Sequence, residues 1–138
     1  MPVLGLCLLT MLFWGMAPLF EKAALATVTP LTALAIRAFV MALAYGAMLL
    51  ATGSVGELFR VDGRGLLYIV LSALFGGVIG LFIYFHALKI GDVELVIPIT
   101  ASYPLVTVLL AVLFLGESLT LSRLFGAALI VGGIYFLR

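Results

Sequence analysis

The side chains with the most to offer chemically carry charge where the surrounding sequence is apolar: Glu21, Lys22 and Arg37. An ionisable group inside a hydrophobic stretch is costly, and it persists where it has a partner or a function. At a helical rise of about 1.5 Å per residue, Glu21 stands about 6 Å before the end of one apolar run and Arg37 about 9 Å into the next. A short turn at Thr29-Pro30 joins the two runs, so both residues sit at similar depth on neighbouring antiparallel helices. A Glu21–Arg37 partnership would offset the cost of burying either charge. Lys22 follows Glu21 directly and therefore points to another face. Two readings fit these residues. One is a static ion pair with long stems snorkelling to the interface; the other is a substrate-charge or proton site lining a cavity.

A second group lies near the same depth: His86, Asp92 and Glu94. An imidazole titrates near neutral pH, which suits a gate as well as an interfacial histidine beside a helix end. Asp92 and Glu94 open an apolar run, where acidic groups suit the helix dipole. Nearer the middle of the apolar runs stand Trp14, with Pro18 one turn later, and the series Pro98, Thr100, Ser102, Tyr103 and Pro104. Tryptophan prefers the membrane interface, so Trp14 at mid-depth either faces a pocket or fills a core. Each proline removes a helix hydrogen bond and kinks its helix, so kinks are expected at Pro18, Pro98 and Pro104. Broken helices near the midplane are where transport sites form, although a kink also serves packing alone. Gly76 with Gly80, beside Gly77, and Ala128 with Gly132, beside Gly133, are small residues four apart, which permit close helix contact within a chain or between chains. No metal-ligand spacing, nucleophile elbow or phosphate loop occurs, so no metal, no cofactor and no enzyme chemistry is expected.

The elements that must hold these residues follow from composition. The chain has 138 residues, 66% hydrophobic and 9% charged, with a net charge of +1. A soluble fold this small leaves much of its surface wet and could not hide so much apolar area, so the surface must face lipid. The charge balance gives no reason to expect nucleic acid. About twenty apolar residues span a bilayer. Charged residues and turn residues divide the chain into five such runs, at about 3–25, 31–51, 66–88, 93–115 and 119–137. The longest loop is Thr52 to Gly65; Lys89-Ile90-Gly91-Asp92 and Gly116-Glu117-Ser118 are tight turns. Uninterrupted apolar runs indicate helices, not the alternating strands of a barrel. The expected fold is thus all-α, a polytopic bundle of five transmembrane helices forming one domain over 1–138. Met1 to Phe20 holds no charge, so it reads as a retained helix and not as a signal that opens on basic residues. Leu4-Gly5-Leu6-Cys7 resembles a lipoprotein cleavage site only loosely. Cys7 is the one cysteine and has no internal disulfide partner.

Five spans put the two ends of the chain on opposite sides. Arg60, Arg64 and Arg123 fall on one side; Lys22, Lys89 and Arg138 fall on the other, with Arg37 slightly inside the membrane. An excess of Lys and Arg on the cytoplasmic side normally sets orientation. Three against three or four is nearly a tie, which fits a chain inserting both ways; if Arg37 counts little, one orientation can still prevail.

Two stretches carry a family resemblance. Trp14-Gly15, Lys22, Thr29-Pro30-Leu31 and Arg37 resemble the start of an EamA domain of the drug/metabolite transporter superfamily. Tyr84-Phe85-His86-Ala87-Leu88-Lys89, Tyr103-Pro104-Leu105, Gly116-Glu117, Gly126 and Gly132-Gly133 resemble its second half. Members usually fuse two such five-helix repeats in inverted orientation; one repeat here resembles the single-repeat branch. The resemblance implies transport, often export, of amino acids, related metabolites or drugs across a prokaryotic cytoplasmic (inner) membrane. An antiparallel homodimer, or pairing with a paralogous inverted partner, would rebuild the inverted architecture. Trp14, Ser102 and Tyr103 would line a central cavity, Lys22 and Arg37 would attract or gate charged groups, and Gly126 and Gly132 would pack helices. Two alternatives stay open: a small multidrug-type proton antiporter using Glu21, and a non-transporting subunit of a larger membrane complex.

Overall fold

The computed structural model describes residues 2–116, 118 and 120–136, and all regular elements among them are helical. Among the described residues, four apolar helical stretches are long enough to cross a membrane: Val3–Leu25, Pro30–Thr52, Gly63–Ile90 and Val93–Phe114. The protein is an all-α membrane bundle. Its chain divides into two compact units, Met1–Lys89 and Ile90–Arg138.

The first unit holds α1 (Pro2–Leu25), α2 (Pro30–Thr52) and all but the last residue of the long α3 (Gly63–Ile90). The turn between α1 and α2 is built by local chemistry. Thr29 caps α2 by accepting a hydrogen bond from the Thr32 amide at 3.2 Å, and Pro30 begins the helix where no donor is needed. Gly53 ends α2 with φ +69°, a left-handed cap that a Cβ would strain. The loop expected from Thr52 to Gly65 contains a short 3-10 helix, Ser54–Arg60. Asp62 then caps α3 by accepting from the Gly65 amide at 3.3 Å, which starts that helix three residues before the predicted Leu66.

The middle of α3 is not an α-helix. Between Gly63–Ser72 and Leu81–Ile90, residues Ala73–Gly80 form a wider π-helical stretch. There the Phe75 carbonyl oxygen lies 2.9 Å from where a Cβ on residue 80 would stand. Backbone crowding thus gives Gly80 a local reason to lack a side chain, separate from helix packing. A Cβ at Gly76 would meet nothing within 4 Å.

The second unit holds α4 (Val93–Thr100), α5 (Tyr103–Leu115) and α6 (Leu121–Tyr135). The fourth span, expected over 93–115 with kinks at Pro98 and Pro104, is interrupted at Ala101-Ser102. Ala101 donates to Ile97 O at 2.7 Å and Ser102 to Ile99 O at 3.2 Å, and the Leu105 amide bonds Ser102 O at 2.9 Å. Pro98 lies inside α4, whereas Pro104 stands in the first turn of α5, so it opens a helix. Pro18 lies within α1, which runs through it unbroken. The predicted limits Leu119 and Leu137 of the fifth span, Glu117 of the preceding turn, and Arg138 lie outside the described residues.

Among the described residues, the buried hydrophobic side chains are Leu25, Phe85, Leu88 and Val96, while Phe13, Phe39, Phe75 and many aliphatic residues point outward. In water this would be a failed core. In lipid, tails are as apolar as leucine, so outward apolar side chains need no cover and packing falls to a few contacts.

Candidate functional site

Within the first unit, the end of α1, the beginning of α2 and the end of α3 are tied together by polar groups. Glu21 is at the centre. Arg37 on α2 donates from Nη1 to Glu21 Oε1, and the Tyr84 hydroxyl on α3 donates to Glu21 Oε2 at 3.0 Å. Each carboxylate oxygen therefore has a partner on a different helix. The two members of the ion pair are unequally covered: the Glu21 side chain is 11% exposed and that of Arg37 38%. The Arg37 guanidinium also lies over the Phe85 ring, 5.9 Å from its centroid, and Tyr84 and Phe85 meet edge to face at 5.7 Å. Phe85 is buried, so it anchors this corner of the helix ends.

The lysines complete the arrangement, Lys22 by capping the end of α3 and Lys89 by holding the turn after α1. Lys22 Nζ on α1 donates to Leu88 O at 2.8 Å and to Lys89 O at 3.4 Å, at the end of α3. Lys89 Nζ donates to Val28 O at 2.8 Å, in the turn that follows α1. The last carbonyls of a helix lack intrahelical donors and carry the negative end of its dipole, so a cation there gains on both counts. Sequence spacing alone placed Lys22 on another face from Glu21; in the structure both side chains reach α3.

The sequence profile of the EamA-like transporter family matches residues 1–138. The chain belongs to that family. The family is part of the drug/metabolite transporter superfamily, and the chain is a membrane transporter. A Sinorhizobium protein described as an "uncharacterized transporter in cobO 3'region" is 34% identical over 130 residues, covering 94% of this chain and 92% of that protein. An uncharacterised protein of Methanocaldococcus jannaschii is 40% identical over 76 residues, 55% of each chain. An "uncharacterized transporter" of Archaeoglobus fulgidus is 32% identical over 77 residues, 56% of this chain and 28% of that one. No solved structure matches significantly.

The other expected site residues of this EamA-like transporter lie apart from the Glu21 network or in the second unit. His86 donates Nδ1–H to the Phe82 carbonyl at 2.9 Å and packs on the Phe82 ring at 4.4 Å, both on its own helix. Asp92 is the N-cap of α4, with its backbone oxygen accepting from Leu95 and Val96, and Glu94 stands in the first turn. Trp14 lies on α1 and is 67% exposed. In the second unit, the Ser102 hydroxyl donates to Ile99 O at 2.6 Å and Tyr103 is exposed at the start of α5. A Cβ at Gly126 or Gly132 would meet nothing within 4 Å. Sequence reasoning missed Tyr84 and the bond from Lys89 to the turn after α1. A depth count could have found Tyr84: it stands about 9 Å from the end of α3, close to the depth of Glu21, and a tyrosine hydroxyl there needs a partner.

Proposed function

We propose that this EamA-like transporter is a secondary carrier that exports small metabolites, amino acids or related compounds, across a prokaryotic cytoplasmic membrane. It works as an antiparallel homodimer by alternating access, each chain supplying one five-helix domain over 1–138. The observation that carries this reading is the Glu21–Arg37–Tyr84 network, a charged pair and a tyrosine hydroxyl joining three apolar helices of one unit. Contacts of this kind can be remade as helices shift, so Arg37 and Lys22 act as gate residues at this end. Trp14 in the first unit, and Ser102 and Tyr103 in the second, are each candidates for substrate contact nearer the midplane, and His86 is a further polar group on α3.

The near tie of positive charge supports insertion in both orientations. The lengths of the relatives fit the same idea. The Sinorhizobium protein is about as long as this chain, and the Archaeoglobus protein roughly twice as long, enough for two such units. The proton-antiporter alternative needs the Glu21 carboxylate free of Arg37 during part of the cycle, and transport by Glu21→Gln at the normal rate would dismiss it. The accessory-subunit alternative predicts one orientation and no flux.

The test is topology in intact cells. A single cysteine placed near Arg138 in a Cys7→Ser background is labelled with a membrane-impermeant reagent. Labelling near half, rising to full after permeabilisation, is expected for two coexisting orientations. All or none labelled before permeabilisation overturns the antiparallel homodimer.

A further inference from the structure

We propose that Arg37 is an oxyanion-binding residue whose place is filled, in this structure, by the protein's own Glu21. A carboxylate or phosphate reaching this end takes over the guanidinium, and Glu21 stays behind on Tyr84. The inference rests on reading this end as part of the transport path and adds the chemistry of what binds there.

Four observations carry it. The first is the use of donors. A guanidinium has five N–H donors in a fork that suits two oxygens of one oxyanion. Among the described residues, Arg37 uses Nη1 alone, on Glu21 Oε1, because Tyr84 holds the other oxygen. The fork is half used.

The second is exposure. The arginine is the open member of the pair at 38%, against 11% for the glutamate. An arriving anion meets the cation first.

The third is depth. Arg37 stands seven residues past Pro30, about 10 Å along α2 at the helical rise. Unpaired N–H donors are costly against hydrocarbon, so the open side of Arg37 calls for an acceptor.

The fourth is that both partners keep an anchor when they part. Phe85 lies under the guanidinium, and Tyr84 still donates to the glutamate. Exchange therefore trades one charge-assisted hydrogen bond for another. Lys22 and Lys89, bonded to backbone carbonyls at the same end, add positive potential that draws an anion in.

The oxyanion has two possible sources, a small solute or a lipid headgroup. The experiment separates them. The full chain is purified in neutral detergent, and its thermal unfolding is followed by the fluorescence of Trp14, the single tryptophan. Chloride is replaced stepwise by acetate, or by inorganic phosphate, at constant ionic strength. In parallel, phosphatidylcholine nanodiscs are compared with and without phosphatidylglycerol.

The expected result is a saturable rise in Tm with acetate or phosphate. Glu21→Gln replaces the anionic resident competitor by a weaker neutral one and lowers the half-saturating concentration about tenfold; Arg37→Lys, which lacks the fork, raises it; Arg37→Gln abolishes the effect. If only phosphatidylglycerol stabilises, and does so through Arg37, the site stands with a lipid as its source. If neither anion nor phosphatidylglycerol stabilises Glu21→Gln beyond chloride, the proposal is overturned. An equal effect in Arg37→Gln overturns it too; if that variant does not fold, equal half-saturation in Glu21→Gln with and without Arg37→Lys does so. The readout is binding without flux. One fixed orientation together with Arg37-dependent binding would therefore sink the antiparallel transporter and leave this site in place.

Discussion

Replacing Glu21 by Gln and Arg37 by Met, singly and together, measures what the ion pair between α1 and α2 contributes. Two unit charges about 4 Å apart attract by about 4 kcal/mol at an effective dielectric near 20. Arg37 is more than a third exposed, which weakens that attraction through screening. Polar pairs in membrane proteins measure about 0.6 kcal/mol on average and about 1.7 at most, because the unfolded state in the bilayer also finds partners. An interaction of about 1–2 kcal/mol is therefore expected. The single variants should differ. Glutamine at position 21 keeps one acceptor oxygen for Arg37, and its amide NH2 can donate to the Tyr84 oxygen, so Glu21→Gln costs about 1–2 kcal/mol. Arg37→Met leaves a carboxylate at depth with Tyr84 alone, at about 2–3 kcal/mol. The assay is unfolding in mixed micelles against rising dodecyl sulfate, followed by far-ultraviolet circular dichroism and Trp14 fluorescence. Costs that add to within about 0.5 kcal/mol would refute the pairing. An interaction well above about 4 kcal/mol would refute the exchange, since no weakly binding anion could then open the pair.

Three further outcomes follow from the same geometry. Tyr84→Phe should cost about 1 kcal/mol in that unfolding assay, and its cost should grow in the Arg37→Met background, where Tyr84 is the last donor to Glu21; an unchanged cost would mean the hydroxyl does not hold the carboxylate. Gly80→Ala should destabilise by about 1–3 kcal/mol through the Phe75 carbonyl, whereas Gly76→Ala should be neutral or gain up to about 1 kcal/mol; equal Tm changes for the two would discard the π-helical account of α3. Lys22→Met should cost about 1 kcal/mol by uncapping the end of α3, most at low salt, and Lys89→Met about 1 kcal/mol by freeing the Val28 carbonyl; an unchanged Tm in both would show that these lysine contacts are dispensable.

The membrane helices were legible because their signal is local and additive. Twenty apolar residues between charged or turn residues define a span whatever surrounds them. Thr29-Pro30 and Gly116 were legible as turns; the capped helix start and the left-handed helix end there come from the structure. The Glu21–Arg37 pair was legible too, because a short turn fixes two helices in register and depth can be counted along each. The π-helical stretch at Ala73–Gly80 was not. Its glycines match a packing pattern equally well, and the choice between α and π turns rests on small backbone differences that composition does not express. The break at Ala101-Ser102 was half legible: two prolines promised a disturbance, but only the backbone shows that Pro104 begins a second helix.

Alone, the sequence determined that this chain lives in lipid, that it is helical, and that Glu21 and Arg37 share a depth. Tertiary structure decided the rest of the site. Tyr84 is 63 residues from Glu21, and Lys22 is 66 residues from the Leu88 carbonyl that it caps. No periodicity relates positions so far apart. They meet because α3 returns to the same membrane face as α1, and at that face unpaired carbonyls and buried charge make each contact worth its ordering entropy.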